Sequence, residues 1–183
     1  MTDGDDSYFA KEVSAKIADY AESGTIATID AGTIPAGVFA GSGNGSISLE
    51  SSICEKIIYA ACKAMAAMNT GGNAYLAAQM ALGIDTMMLA GEVKTTVTGT
   101  VTTPSGATSP TGGSAKGTFT GVSATLQSGF LAAFNSMDNM TENGNEYLAG
   151  QIATTVTTYL KAGVIVTSGQ GTISGSVGSG SMS

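Results

Sequence analysis

The side chains that could do chemistry in this chain are few and of limited kinds. Fourteen carboxylates, seven lysines and two cysteines stand among 183 residues, with no His, no Arg and no Trp, and the net charge is -7. Lacking His removes the commonest general base and metal ligand, and lacking Arg removes the bidentate phosphate clamp. An acidic chain also lacks the basic face that displaces counterions from nucleic acid, so a nucleic-acid partner is not expected.

Three groupings of the acids could be posed as sites. Asp3, Asp5 and Asp6 suggest a calcium loop, but the twelve-residue pattern and its closing Glu are missing, and acids at a helix start need only the helix dipole to explain them. Glu142 and Glu146 are four apart and could be posed as an acid/base pair. An enzyme or small-ligand binder built on acids alone would have to gather Asp85, Asp138 or Glu142 around an ion.

Cys54 and Cys62 lie eight apart in one expected helix, about 12 Å along its axis, too far to pair with each other. A Cys nucleophile would want a His. The run Gly41-Ser42-Gly43-Asn44-Gly45 is phosphate-loop-like, yet it leads into an expected strand, whereas nucleotide loops open a helix; Gly112 to Thr118 has its Lys in the wrong order. Both are read as turn glycines. Asn44-Gly45-Ser46 and Asn139-Met140-Thr141 are glycosylation sequons by pattern, with no secretory signal in sight. No catalytic, cofactor-binding or metal residue is assigned, and no cofactor is expected.

The elements that would position these groups are written as a repeat. Asp6 to Ile34, Asn73 to Val101 and Asn145 to Ile173 share one pattern, at offsets of 67 and then 72 residues. Each opens with Asp or Asn, carries an apolar stripe at helical spacing, breaks at Gly24, Gly91 or Gly163, and runs through β-branched residues to a Gly-Thr step. Leu76, Met80, Ile84, Leu148, Ile152 and Val156 are expected in the core. The breaking glycines are expected to be left-handed helix ends, after N-caps at Asn73 and Asn145.

Ahead of two copies stand a Gly-rich turn, a short strand and another helical stripe: Cys54, Ile58, Cys62, Met65 and Met68, echoed by Leu126, Phe130, Phe134, Met137 and Met140. This alignment places the cysteines where the sister copy has Leu and Phe, so core thiols are expected. It also matches Glu142, Glu146 and Asp138 with Thr70, Ala74 and Ala66, which marks those acids as a solvated face.

The expected fold is therefore α+β: duplicated strand-helix-helix-strand units with short Gly/Thr-rich strands and an approximate twofold relation, preceded by an N-terminal helix-strand half unit. The expected organisation is one domain over 1–183, with a half unit at 1–40, unit one at 41–112 and unit two at 113–183, and with 104–111 as a low-complexity connector. The tail from Gly178 reads as the start of a further unit. Half units at both ends leave strand edges that must be completed, either by each other within one chain or by neighbours in an array. Residues 74–91 are too polar and too short for a membrane span.

The Tyr-Leu-Ala-x-Gln helix, the Ala-Gly break and the Thr/Val strand ending in Gly-Thr resemble small virion proteins of tailed bacteriophages. The resemblance implies a noncatalytic structural role as a many-copy component of head decoration, head-tail connector or tail, located in the virion and made in the bacterial cytoplasm. It implies partners that are other structural subunits, as a homo-oligomer or as lattice neighbours docked through edges and termini, with no nucleic acid and no membrane. The alternative is a cell-surface or secreted adhesin-like module, which Thr/Gly-rich strands also suit.

Overall fold

The computed structural model describes residues 3–183, which form an α+β protein of five helices and six strands arranged in two units. Helix α1 (Asp3–Ser23) leads to strand β1 (Ile26–Ile34). Then strand β2 (Gly37–Ser48), helices α2 (Ser51–Met65) and α3 (Gly72–Ala90) and strand β3 (Glu92–Thr102) are followed by the same order in β4 (Thr108–Thr120), α4 (Ser123–Met137), α5 (Gly144–Ala162) and β5 (Val164–Gln170). A single 3-10 turn at Gly171–Ile173 precedes the last strand, β6 (Ser176–Met182). Each stretch of the chain alternates between the two units, because strands and helices segregate.

The strand unit is one closed antiparallel barrel in the order β1-β2-β3-β4-β5-β6, where sheets of short strands are expected from the sequence. The strands are not short either, since β4 has 13 residues. Thr108 to Thr111, expected in a connector, belong to β4, and a tight turn closed by the Thr103 N–H to the Ala107 carbonyl at 2.9 Å does the connecting. The two ends of the chain complete each other: β1 pairs β6 from Ile26 opposite Met182 to Gly32 opposite Ser176, and Thr25 and Ser183 exchange backbone hydrogen bonds of 3.0 and 2.9 Å.

Strict alternation sends every second side chain into the barrel. At one end Ile34, Phe39, Val97, Val101, Ala115 and Ile173 pack together. At the end where β1 begins, Ile26, Ile47, Val93, Phe119, Ile165 and Met182 are buried. The repeat offsets map Ile26 onto Val93 and Ile165, so inward positions fall on inward positions in all three copies.

The Gly-rich runs expected as turns are strand interiors. Gly41 lies within β2, and a Cβ there would stand 2.5 Å from the Thr98 carbonyl oxygen of the neighbouring strand. Only glycine admits so close a backbone approach.

In the helical unit, α1, α3 and α5 are long and α2 and α4 are shorter. Their apolar stripes bury Met80, Ile84 and Val156, while Leu76, Leu148 and Ile152 are only half-buried. Helix starts also differ from expectation. Gly71 and Asn143, sister positions, take positive φ of 77° and 59°, and their carbonyls accept from the Tyr75 and Tyr147 N–H at 3.0 Å. Asn73 instead donates its amide to Asp138 at 2.9 Å.

The glycines that end the long helices are not left-handed, contrary to the cap expectation: neither Gly24, Gly91 nor Gly163 has positive φ. Their requirement is space. A Cβ at Gly91 would stand 2.5 Å from Leu49 Cδ2 and 3.0 Å from Ile47 Cδ1, one at Gly163 would strike the Phe119 ring, and one at Gly24 would stand 3.1 Å from Met182 Cγ. Ile47, Phe119 and Met182 are the matching inward residues of three strands, so the same steric demand is met three times.

Candidate functional site

The barrel interior holds one carboxylate that sequence reasoning passed over. Asp30 is fully buried on β1, where its sister positions are Val97 and Gly169. Thr28 donates its hydroxyl to Oδ2 at 2.6 Å and Thr167 donates to Oδ1 at 3.2 Å. Thr28, Thr95 and Thr167 are themselves sister residues, all inward and buried, and the Thr95 hydroxyl has no partner among the described residues. Space for the carboxylate comes from glycine: a Cβ at Gly43 would stand 3.1 Å from Oδ2, and one at Gly178 would strike Oδ1. A polar layer is thus sealed between two apolar ends. The signal was present in the alternation of β1, which puts Asp30 on the face of Ile26, Thr28 and Ile34.

The other acids are engaged separately. Asp85 accepts the Tyr159 hydroxyl at 2.6 Å, and burial, then this bond to a carboxylate, raises the phenol well above its ordinary range. Asp138 receives Asn73 as described, beside a polar groove of ≈640 Å³ that also takes in Asn69, Thr70 and Asn135. Glu142 and Glu146 are exposed on the loop and first turn around α5. The structure therefore does not gather Asp85, Asp138 and Glu142 on one another. Asp5 is exposed at the start of α1, Asp6 is buried within its first turns, and the Asp3 side chain lies outside the described residues. No cluster of three metal-ligating side chains occurs among the described residues.

Both cysteines are free and buried, as their alignment with Leu126 and Phe134 implied. Burial pushes the Cys54 thiol up from 9.0 to about 11, against a smaller opposing effect from Ser14. Cys62 is raised by burial and then by the Asp6 charge. Neither thiol is a reactive thiolate.

The outside of the barrel is divided. On β3 and β4, Glu92 pairs with Lys94 at 2.7 Å and Lys116 at 2.5 Å, and the hydrogen bond from Lys116 leads those that lower the Glu92 carboxyl to about 2. On β5, β6 and β1 no charged side chain points outward. Register aligns Ile29 with Ser179 and Val166 in one row, and Ala31 with Val177 and Ser168 in the next. Ile29 is 77% exposed, Val177 56% and Val166 48%.

No protein-family model, curated protein or solved structure matches the chain. Among the described residues no helix is long and apolar enough to cross a membrane.

Proposed function

We propose that this chain is a noncatalytic structural subunit that docks on neighbouring subunits, as a virion component of a tailed bacteriophage in head decoration, head-tail connector or tail. The observation that carries the reading is the outer face of β5, β6 and β1: uncharged, with Ile29, Val166 and Val177 exposed in adjacent rows. β-branched apolar side chains grouped on one side of a barrel mark a contact face more than scattered ones do. Supporting it, the buried Asp30 and the half-buried Asp85 accept threonine and tyrosine hydroxyls within the fold. Because β1 and β6 pair with each other, docking in this reading falls to outward side chains and not to strand addition.

Native mass measurement of purified chain, alone and with candidate particles, tests this. Assembly into oligomers or attachment to particles, lost on Ile29→Lys with Val177→Lys, is the expected outcome. A chain that stays monomeric at high concentration and joins no particle overturns it. The adhesin-like alternative would use the same face, and recovery of the chain on cell surfaces free of particles would favour it.

A further inference from the structure

The repeat makes the helical unit a set of equivalent positions, and their burial is unequal in a consistent way. Ser14, Ala81 and Ala153 correspond on α1, α3 and α5. Ser14 is buried beside the Cys54 thiol of α2, Ala81 is buried, and Ala153 is exposed. Ala10 and Ala77 are buried, whereas their counterpart Ala149 is exposed.

The other flank behaves alike. Gly83 of α3 lies against Cys54 of α2, with a Cβ position 3.2 Å from its sulfur, and Thr155 of α5 fills the space beside Gly129 of α4, 2.5 Å from where a Cβ there would stand. Both are buried, yet the counterpart on α1, Lys16, has 76% of its side chain exposed. Helix α2 thus covers the seam between α1 and α3. Helix α4 lies on α5 through Gly129 and reaches α3 through Asn135 and Asp138, which hydrogen-bond Asn73 at 3.3 and 2.9 Å.

The third seam, between α5 and α1, is an open apolar groove of ≈470 Å³. Val13, Lys16 and Ile17 line one wall and Ala149, Ile152 and Ala153 the other. These include the positions that have lost their cover.

We propose that this groove binds a further amphipathic α-helix, of the pattern that α2 and α4 carry. The two helices seated on the sister seams define its pattern. Cys54, Ile58, Ala61 and Cys62 on α2, and Leu126, Phe130, Ala133 and Phe134 on α4, are all buried, so the motif is apolar at i, i+4 and i+8 with Ala at i+7. Both helices of that pattern among the described residues are already in place, and a second copy would hold its own two in the same way. The occupant is therefore a further helix of the same pattern, recognised by i, i+4 anchors in a groove. This names a partner surface for the assembly reading but rests on the repeat alone.

A labelled peptide copying Ser123–Met137 serves as the probe, titrated with the full chain and followed by fluorescence anisotropy and by helical circular dichroism. Saturable binding with gained helicity is expected, weakened by about tenfold or more in the Ala153→Arg chain and unchanged by Thr154→Arg, an exposed neighbour outside the groove. A peptide with Phe130→Asp should fail to bind. Lack of saturable binding, equal binding to the Ala153→Arg chain, or a parent dimer in solution that shields Ala153 from labelling when made Cys would overturn the proposal. Particle attachment without peptide binding sinks this inference alone; peptide binding by a chain that joins no particle sinks the assembly reading alone.

Discussion

Tyr159 shows how one side chain can settle the role of another. Its hydroxyl is spent on Asp85, so the carboxylate that looked available for ion binding is a structural acceptor. Tyr159→Phe leaves that acceptor without its donor and should cost about 1–3 kcal/mol in urea unfolding. A pH effect follows from the same group and from Cys54. Both are raised in the folded chain, Cys54 from 9.0 to about 11, so the unfolded chain loses these protons first as pH rises. Stability is then fully present below about pH 9 and falls through the alkaline range up to the folded values. Melting temperature measured from pH 8 to 11 should decline, and Cys54→Val should remove the part that starts near pH 9. A flat profile would contradict the burial assigned to both groups.

Among the elements, the helix-to-strand junctions are the most informative. Gly163 was expected to be a left-handed cap; its φ is not positive, and the Phe119 ring occupies the place a Cβ would take. Gly163→Ala should therefore destabilise by about 1–3 kcal/mol through overpacking. The cost should shrink in a Phe119→Ala background, which a double-mutant cycle reads directly. A cap requirement would instead leave the cost unchanged. In the helical unit, Met80 on α3 is fully buried, and Met80→Ala should cost about 2–5 kcal/mol depending on how far the site collapses.

For the whole molecule the decisive event is closure of the barrel by its two end strands. Thr25 and Ser183 exchange backbone hydrogen bonds, and their hydroxyl oxygens stand 2.9 Å apart. A hydrogen-bonded antiparallel pair of this kind brings Cα atoms to about 5.5 Å, within disulfide range. Thr25→Cys with Ser183→Cys should form that bridge, closing a loop of 158 residues. Chain-entropy arguments put the gain near an upper value of about 4–5 kcal/mol. Oxidised and reduced melting temperatures should differ in that direction. No bridge under oxidising conditions would mean that β1 and β6 do not lie side by side in solution.

Local periodicity determined much of this protein by itself. The 3.6-residue stripes placed α1 through α5, and the β-branched runs placed β1, β3 and β5, because both signals lie within a few turns of chain. The offsets of 67 and 72 residues exposed the repeat, and they assigned both cysteines to the core. Tertiary structure alone decided that six strands close on one another, because pairing partners are set by register between segments far apart and not by either segment's own pattern. That closure explains the misread glycines, whose hydrogen side chains answer to neighbouring strands and rings and not to turns. It buried Asp30, which in sequence is only one acid among fourteen. Likewise, the repeat specified where peripheral helices belong, but the bare seam between α5 and α1 became visible only as unequal burial of equivalent residues.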